Sequence, residues 1–268
     1  MIDPLIISIA LGLFVGLVLA LTGAGGSILA VPLLAFSLHL SMAQAAPIGL
    51  LAVMVAATIG TIQGLRAGIV RYKAATLIAA FGIICAPLGV WLAQRAANQL
   101  LSLLFAAVLI YVAWRMWQQS TENLAVDENK PAPACAVNPA SSKLFWTASC
   151  TKRLITTGGL AGFLSGLLGV GGGFVIVPTL HKVSNLDIKS IVATSLAVIV
   201  LVSASSVATH ITQHSIDWAI AIPFTLATVF GMLAGSVLAN KISSQIVQRG
   251  FSSLALLIAI GLLVKAFI

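Results

Sequence analysis

Apolar residues along this chain gather into blocks separated by short basic or polar stretches. In the first half the blocks run about 5–38, 45–64, 75–94 and 99–117, and in the second about 154–181, 190–210, 217–239 and 245–267. No block shows the polar face of a helix that meets water, nor the strict alternation of a β-barrel strand. Blocks of about 20 residues that are apolar all round match helices crossing a ~30 Å hydrocarbon core. Between the halves, 118–152 carries Glu122, Asp127, Glu128 and three prolines and reads as a loop outside the bilayer. The pattern predicts an all-α, polytopic integral membrane protein. It divides into a first transmembrane repeat (1–117), a linker (118–152) and a second transmembrane repeat (153–268).

The two halves are copies of one unit. A gapless offset of 146 residues lays Gly12 on Gly158, Gly16 on Gly162, Gly23 on Gly169, Gly25 on Gly171 and Gly26 on Gly172. Val31-Pro32 falls on Val177-Pro178, and the register persists through Leu50 on Leu196, Gly89 on Gly235, Arg95 on Lys241 and Phe105 on Phe251. An apolar chain aligns a few glycines by chance, but not one offset kept across a whole half.

The first block of each half is too long for one crossing, since about 34 residues of helix extend about 50 Å. A glycine cluster interrupts it: Thr22-Gly-Ala-Gly-Gly-Ser27 in the first copy and Leu168-Gly-Val-Gly-Gly-Gly173 in the second. The block therefore reads as two short helices joined at the glycines, which gives 8 to 10 membrane segments in all. If each first block crossed once, the halves would be parallel and Lys and Arg would split about nine to five across the membrane. If it turns back, the halves are inverted, and twelve of the 14 Lys and Arg collect on one side with only Arg95 and Lys265 opposite. The positive-inside rule favours the inverted arrangement, with a cytoplasmic linker and both termini outside. The second arm, about 28–40, is barely long enough to cross, and a re-entrant hairpin satisfies the same parity.

Composition narrows the class further. The chain is 60% hydrophobic and 7% charged, where ordinary soluble domains carry about 25% charge. Its net charge of +8 would suggest nucleic acid in a soluble protein; here the basic residues lie between apolar blocks, so no nucleic-acid partner is expected and the bilayer is. The start, Met-Ile-Asp-Pro, lacks a basic n-region, so the first block is expected to be retained. Cys85, Cys135 and Cys150 have no metal-ligand spacing and suggest no disulfide framework. No cofactor or metal is expected.

Broken helices in inverted repeats are the construction of secondary transporters, whose sites lie near the midplane between the repeats. Non-helical backbone at that depth survives where it is packed in protein or lines a polar cavity. A helix starting at Ser27 or Gly173 would direct free N–H groups and a positive dipole end toward such a cavity, which favours an anion. For the glycine clusters, site-lining and close packing both remain open; Gly12, Gly16, Gly158 and Gly162 have the spacing of helix-packing positions. Pro32 and Pro178 are expected to kink the second arms, with Gly89 and Gly235 as further structural positions. A second matched patch is Pro47-Ile-Gly49 against Ala193-Thr194-Ser195; the two hydroxyls could serve an anion or cap their helix. Gln63 and His210, near block ends, are expected to be solvated. All six acidic residues fall in loops or at block ends, so the carboxylate relay of a proton pump is missing, as is a phosphate-binding loop for ATP.

The elements TGAGGSILAVP and LGVGGGFVIVP, the segment ATSLAVIV, the HSIDW element and the paired Gly89 and Gly235 blocks resemble the sulfite exporter TauE/SafE family. The resemblance covers both halves and omits the linker. It implies a bacterial inner-membrane permease for sulfite, sulfonates, sulfoacetate or other small organic anions, and not an enzyme. It implies as ligand-facing positions Thr22, Gly23, Gly25, Gly26, Ser27, Gly169, Gly171, Gly172, Gly173, Thr194 and Ser195. The first half departs from the pattern at Pro47-Ile-Gly49, so a site drawing on both copies would be asymmetric. The competing readings are a sulfur-relay protein using Cys85, which has no His, Cys or acidic neighbour in sequence, and an assembly partner without transport.

Overall fold

The computed structural model describes residues 4–23, 25–122, 135, 147–212, 216–238 and 244–267. These form ten helices: α1 (Pro4–Thr22), α2 (Gly25–Ser37), α3 (Met42–Arg66), α4 (Tyr72–Arg95), α5 (Asn98–Glu122), α6 (Ala148–Leu168), α7 (Gly173–Val183), α8 (Ile188–Thr212), α9 (Trp218–Leu238) and α10 (Ser244–Phe267). Seven of them, α1, α3, α4, α5, α8, α9 and α10, are long and apolar enough to cross a bilayer. The polar first turns of α6, with Lys152 and Arg153, keep it outside that set, and α2 and α7 are short. At 13 and 11 residues the last two rise about 20 and 17 Å, too short to span a ~30 Å hydrocarbon core by themselves. Of the expected linker, 118–122 belongs to α5 and 148–152 to α6.

Glycines set the packing. A Cβ on Gly12 would lie 2.5 Å from the Phe224 carbonyl, and one on Gly16 would strike the Thr228 carbonyl, while Gly231 meets Leu13 and Gly235 meets Ala20. Rising numbers on α1 match rising numbers on α9, so the two helices run parallel in backbone contact. The second copy repeats this: Gly158 abuts Ile78, Gly162 abuts Gly82 and Gly166 abuts Ala86, which makes α6 parallel to α4. Gly89 takes its place in the same seam, against Phe163 and Leu167. Close approach of this kind lets dispersion and Cα–H contacts hold helices where no hydrophobic force acts between them.

These pairings establish the inversion. The loop after α3 and the start of α8 share one face, with Ile69 and Asp187 around one cavity, while the starts of α3 and α9 share the other, with Gln44 and Asp217 around a second. Thus α4 and α9 run in opposite directions, and so do their partners α6 and α1. The first face carries Arg66, Arg71, Lys73, Lys152, Arg153, Lys182, Lys189 and Arg249, and is termed the basic face; Arg95 and Lys265 lie at the opposite face. There the Asn98 side chain accepts from the Met42 amide at 2.9 Å, joining the starts of α3 and α5. Ser41 caps α3 reciprocally with Gln44. Trp91, Trp114, Trp117, Trp218 and Tyr72 are exposed near helix ends, where rings of this kind sit between lipid and water.

One expectation about cysteine is overturned. Cys135 and Cys150 form a disulfide, both are buried, and the Cys135 amide donates to the Val183 carbonyl at 2.9 Å. Sequence spacing does not show this pair, because the contact depends on α7 returning to the face where α6 begins.

Candidate functional site

Each glycine break turns through the left-handed region. Gly23 has φ 72°, and its counterpart Gly169 has φ 75°, with Gly171 at 67° and Gly172 at 70°. Side chains with a Cβ disfavour this region, and here space is short as well. A Cβ on Gly23 would strike the Val192 side chain, and one on Gly169 would strike Ala46. Val192 and Ala46 are themselves counterparts, so each turn sits against the opposite half. Packing alone therefore requires glycine at both positions. Gly26 and Gly172 likewise abut the helix leading into their own turns, at Leu19 and Ala161.

The two turns differ in their polar groups. Helix α2 begins at Gly25, two residues before the expected start, and Ser27 is buried in its first turn. Thr22 donates to the Val18 carbonyl at 2.8 Å and accepts from the Gly26 amide at 3.2 Å, so α2 carries its own cap. Helix α7 begins at Gly173 as expected; Gly172 occupies the N-cap position and no side chain caps it. Pro32 and Pro178 lie inside α2 and α7, leaving the carbonyls of Ile28 and Phe174 without their helical donors.

The second matched patch also crosses between halves. Gly49 lies beside the second turn, a Cβ there being 3.7 Å from the Gly169 carbonyl, and Ser195 Oγ lies 3.5 Å from the Gly23 carbonyl. Neither hydroxyl caps a helix, because α8 begins at Ile188 and both lie in its second and third turns. Ser195 donates to Val192 at 2.8 Å. Thr194 is engaged on both sides: it donates to the Ser190 carbonyl at 2.6 Å and accepts from the Arg71 amide at 3.0 Å. It ties the loop before α4 to α8 and does not reach a glycine turn.

Two cavities approach the turns from opposite faces. One, of about 630 Å³, opens at the basic face beside Gln63, Asp187 and Lys189 and ends on Ala20-Leu21 and Val192, at the foot of the first turn. The other, of about 460 Å³, opens at the opposite face beside Gln44, Gln94 and Asp217 and ends on Gly166-Leu167 and Ala46, at the foot of the second. Their end walls are repeat counterparts: Ala20-Leu21 matches Gly166-Leu167, and Val192 matches Ala46. The vestibules are two copies of one cavity, inverted along with the halves.

His210 is the largest departure from expectation. It is 4% exposed, not solvated, and lines the vestibule of the opposite face; its counterpart Gly64 lines the other. Gln63 is exposed, as expected. Sequence reading also passes over Ser165 and Ser203, fully buried beside the second turn. A signal is present: Ser195, Ser203, Ser206 and His210 recur at helical spacing along one face of α8. Among the described residues no group of His, Cys, Asp and Glu could hold a metal ion. Cys85 packs near Gly159 between α4 and α6, 3.6 Å from a Cβ built there.

Comparison with known proteins agrees with this architecture. A family model described as Sulfite exporter TauE/SafE matches residues 8–262. A "Probable membrane transporter protein" of Xylella fastidiosa (strain 9a5c) is 27% identical over 263 residues, covering 97% of this chain and 95% of its own. In Bacillus subtilis (strain 168), "Probable membrane transporter protein YunE" is 24% identical over 250 residues, covering 90% of each chain. No solved structure matches.

Proposed function

The chain belongs to the sulfite exporter TauE/SafE family, and we propose that it is a secondary transporter moving a small sulfur-containing anion, such as sulfite, a sulfonate or sulfoacetate, across the bacterial inner membrane. The observation that carries the reading is the pair of inverted vestibules, each ending at a glycine turn. A site between the turns lies about halfway along the bundle, since Gly171 faces Val53 and Ile199, each near the middle of a 25-residue helix. Opening one vestibule to the site while the other stays closed is alternating access, and the inversion relates the two states by an approximate two-fold rotation about an axis in the membrane plane.

The charge pattern supports an anion. Among the described residues the acidic residues lie at helix ends, Asp187 and Asp217 at the outer mouths of the vestibules, and the first turns of α2 and α7 direct positive dipole ends inward. A lipid-buried Lys or Arg is not needed, which keeps the desolvation cost low and lets the ligand leave. The twelve-to-two division of Lys and Arg supports a cytoplasmic basic face and linker, with both termini outside.

The test is flux. Proteoliposomes holding the purified protein should take up labelled sulfite, sulfoacetate or taurine faster than protein-free vesicles, with saturation. Absence of uptake for all three would remove the sulfur-anion assignment.

A further inference from the structure

The repeat predicts two equivalent turns, yet the polar groups around them are not equivalent. At the first turn, the Thr22 hydroxyl occupies the Gly26 amide. Its counterpart in the second copy is Leu168, which cannot do this, and α7 starts without a side-chain cap. The hydroxyl of Ser203 is fully buried and finds no hydrogen-bond partner among the described residues. A Cβ on Gly171 would lie 3.0 Å from that oxygen, so the hydroxyl faces the turn. Ser165, in the last turn of α6, has a buried hydroxyl in the same condition. The counterparts of Ser203 and Ser165 are Ala57 and Leu19. Buried hydroxyls are nearly always paired, and an unpaired one calls for an explanation such as an absent ligand.

Resting on the anion-transport reading above, we propose that direct binding is one-sided: the oxyanion is held by the second turn alone, through Ser203 Oγ and the amides of Gly173 and Phe174 at the start of α7, the Val175 amide being already bonded to the Gly172 carbonyl. The available groups are donors at the positive end of a helix, with no carboxylate among them, so they suit an acceptor-rich anion and not a cation. A Cβ at Gly171 would already press on Ser203, so glycine there keeps the turn clear of the hydroxyl. Donors of this kind suit the oxygens of a sulfur head group, whether free as sulfite or carried by a sulfonate.

The path to the site follows from the same helix. Ser195, Ile199, Ser203, Ser206 and His210 lie on one face of α8, three or four residues apart and buried, and the last opens into the opposite-face vestibule. The matched face of α3 is Gly49, Val53, Ala57, Gly60 and Gly64, without a polar side chain. One wall supplies hydrogen bonds and the other supplies room.

Purified wild-type protein, Ser203→Ala and Ser252→Ala are compared by sulfite and sulfoacetate flux in proteoliposomes, by binding of each anion in detergent, and by unfolding temperature. Ser252 is buried in α10, donates to the Arg249 carbonyl at 3.1 Å and serves as the control. Ser203→Ala should raise KM and Kd by roughly tenfold or more, the loss expected for one hydrogen bond to a charged group, with an unfolding temperature equal to wild type. Ser252→Ala should stay within about twofold on both measures, since its hydroxyl is already engaged by its own helix. If sulfite and sulfoacetate lose equally, the head group is what the turn holds; loss for sulfite alone restricts the site to the free ion. Wild-type affinity in Ser203→Ala would overturn the one-sided site while leaving transport standing. A weaker affinity matched by an equal fall in unfolding temperature would make Ser203 a packing residue and also overturn it. A wild-type protein that neither binds nor moves any of these anions removes both readings.

Discussion

Thr22 and Gly26 close the first turn on themselves, the hydroxyl of one accepting from the amide of the other at 3.2 Å, and no side chain closes the second in this way. A cap of this kind contributes about 1 kcal/mol. Thr22→Ala should therefore lower the unfolding free energy by about that amount, read by thermal or denaturant unfolding in detergent, and change KM less than about twofold. A KM effect larger than the stability effect would show that Thr22 touches the ligand.

Positive φ and crowding can be separated among the glycines. Gly68 has φ 68° with no atom within 4 Å of the place a Cβ would take, whereas Gly169 combines φ 75° with a collision against Ala46. Gly68→Ala should cost roughly 1–2 kcal/mol from backbone strain alone. Gly169→Ala should cost roughly 2–5 kcal/mol, because overpacking adds to strain. Equal losses at the two sites would mean that Ala46 moves aside freely.

The assignment of faces has a direct chemical readout. In a chain whose three native cysteines are replaced, Gly68→Cys should react with a membrane-impermeant maleimide only after the cytoplasmic side is opened. Ala97→Cys should react in intact cells, since this position precedes α5 on the opposite face. The reverse pattern would invert the protein and place the linker outside.

The Cys135–Cys150 pair responds to that same assignment. Cytoplasmic thiols are held reduced, so with a cytoplasmic linker both cysteines should be alkylated in freshly lysed cells, and the bond should close during purification in air. A sequence separation of 15 predicts about 3 kcal/mol of stabilisation on closure, measured as unfolding with and without reductant. A bond already closed in growing cells would argue for a linker in an oxidising compartment.

Much of the architecture is legible in the sequence because its signals are local. Glycine clusters mark breaks, basic residues mark one face, and a single offset marks the duplication, each readable without knowing what touches what. What stays hidden depends on which face of a helix meets which neighbour. His210 stands near a block end, a place that suggests water, yet α8 turns that face inward and buries it. Thr194 and Ser195 stand near the start of an apolar block, where a hydroxyl can cap a helix. The helix has in fact begun at Ile188, ahead of them, with the Asp187 carbonyl accepting from the Ile191 amide. The difference between Thr22 and Leu168 is plain in the sequence, but its meaning requires the Gly26 amide. Helices apolar on every side give little periodic signal for orientation, so tertiary contacts alone reveal it.

The crossed seams have a consequence for how the protein is made. Gly12 and Gly16 of α1 present a bare backbone groove whose filler, α9, leaves the ribosome only after most of the chain is already in the membrane. Helix α4 waits in the same way for α6. Neither half has its native seam until the other is inserted, so insertion and assembly are separate stages. During the interval lipid tails, and whatever insertion factors attend the nascent chain, must occupy grooves shaped for another helix.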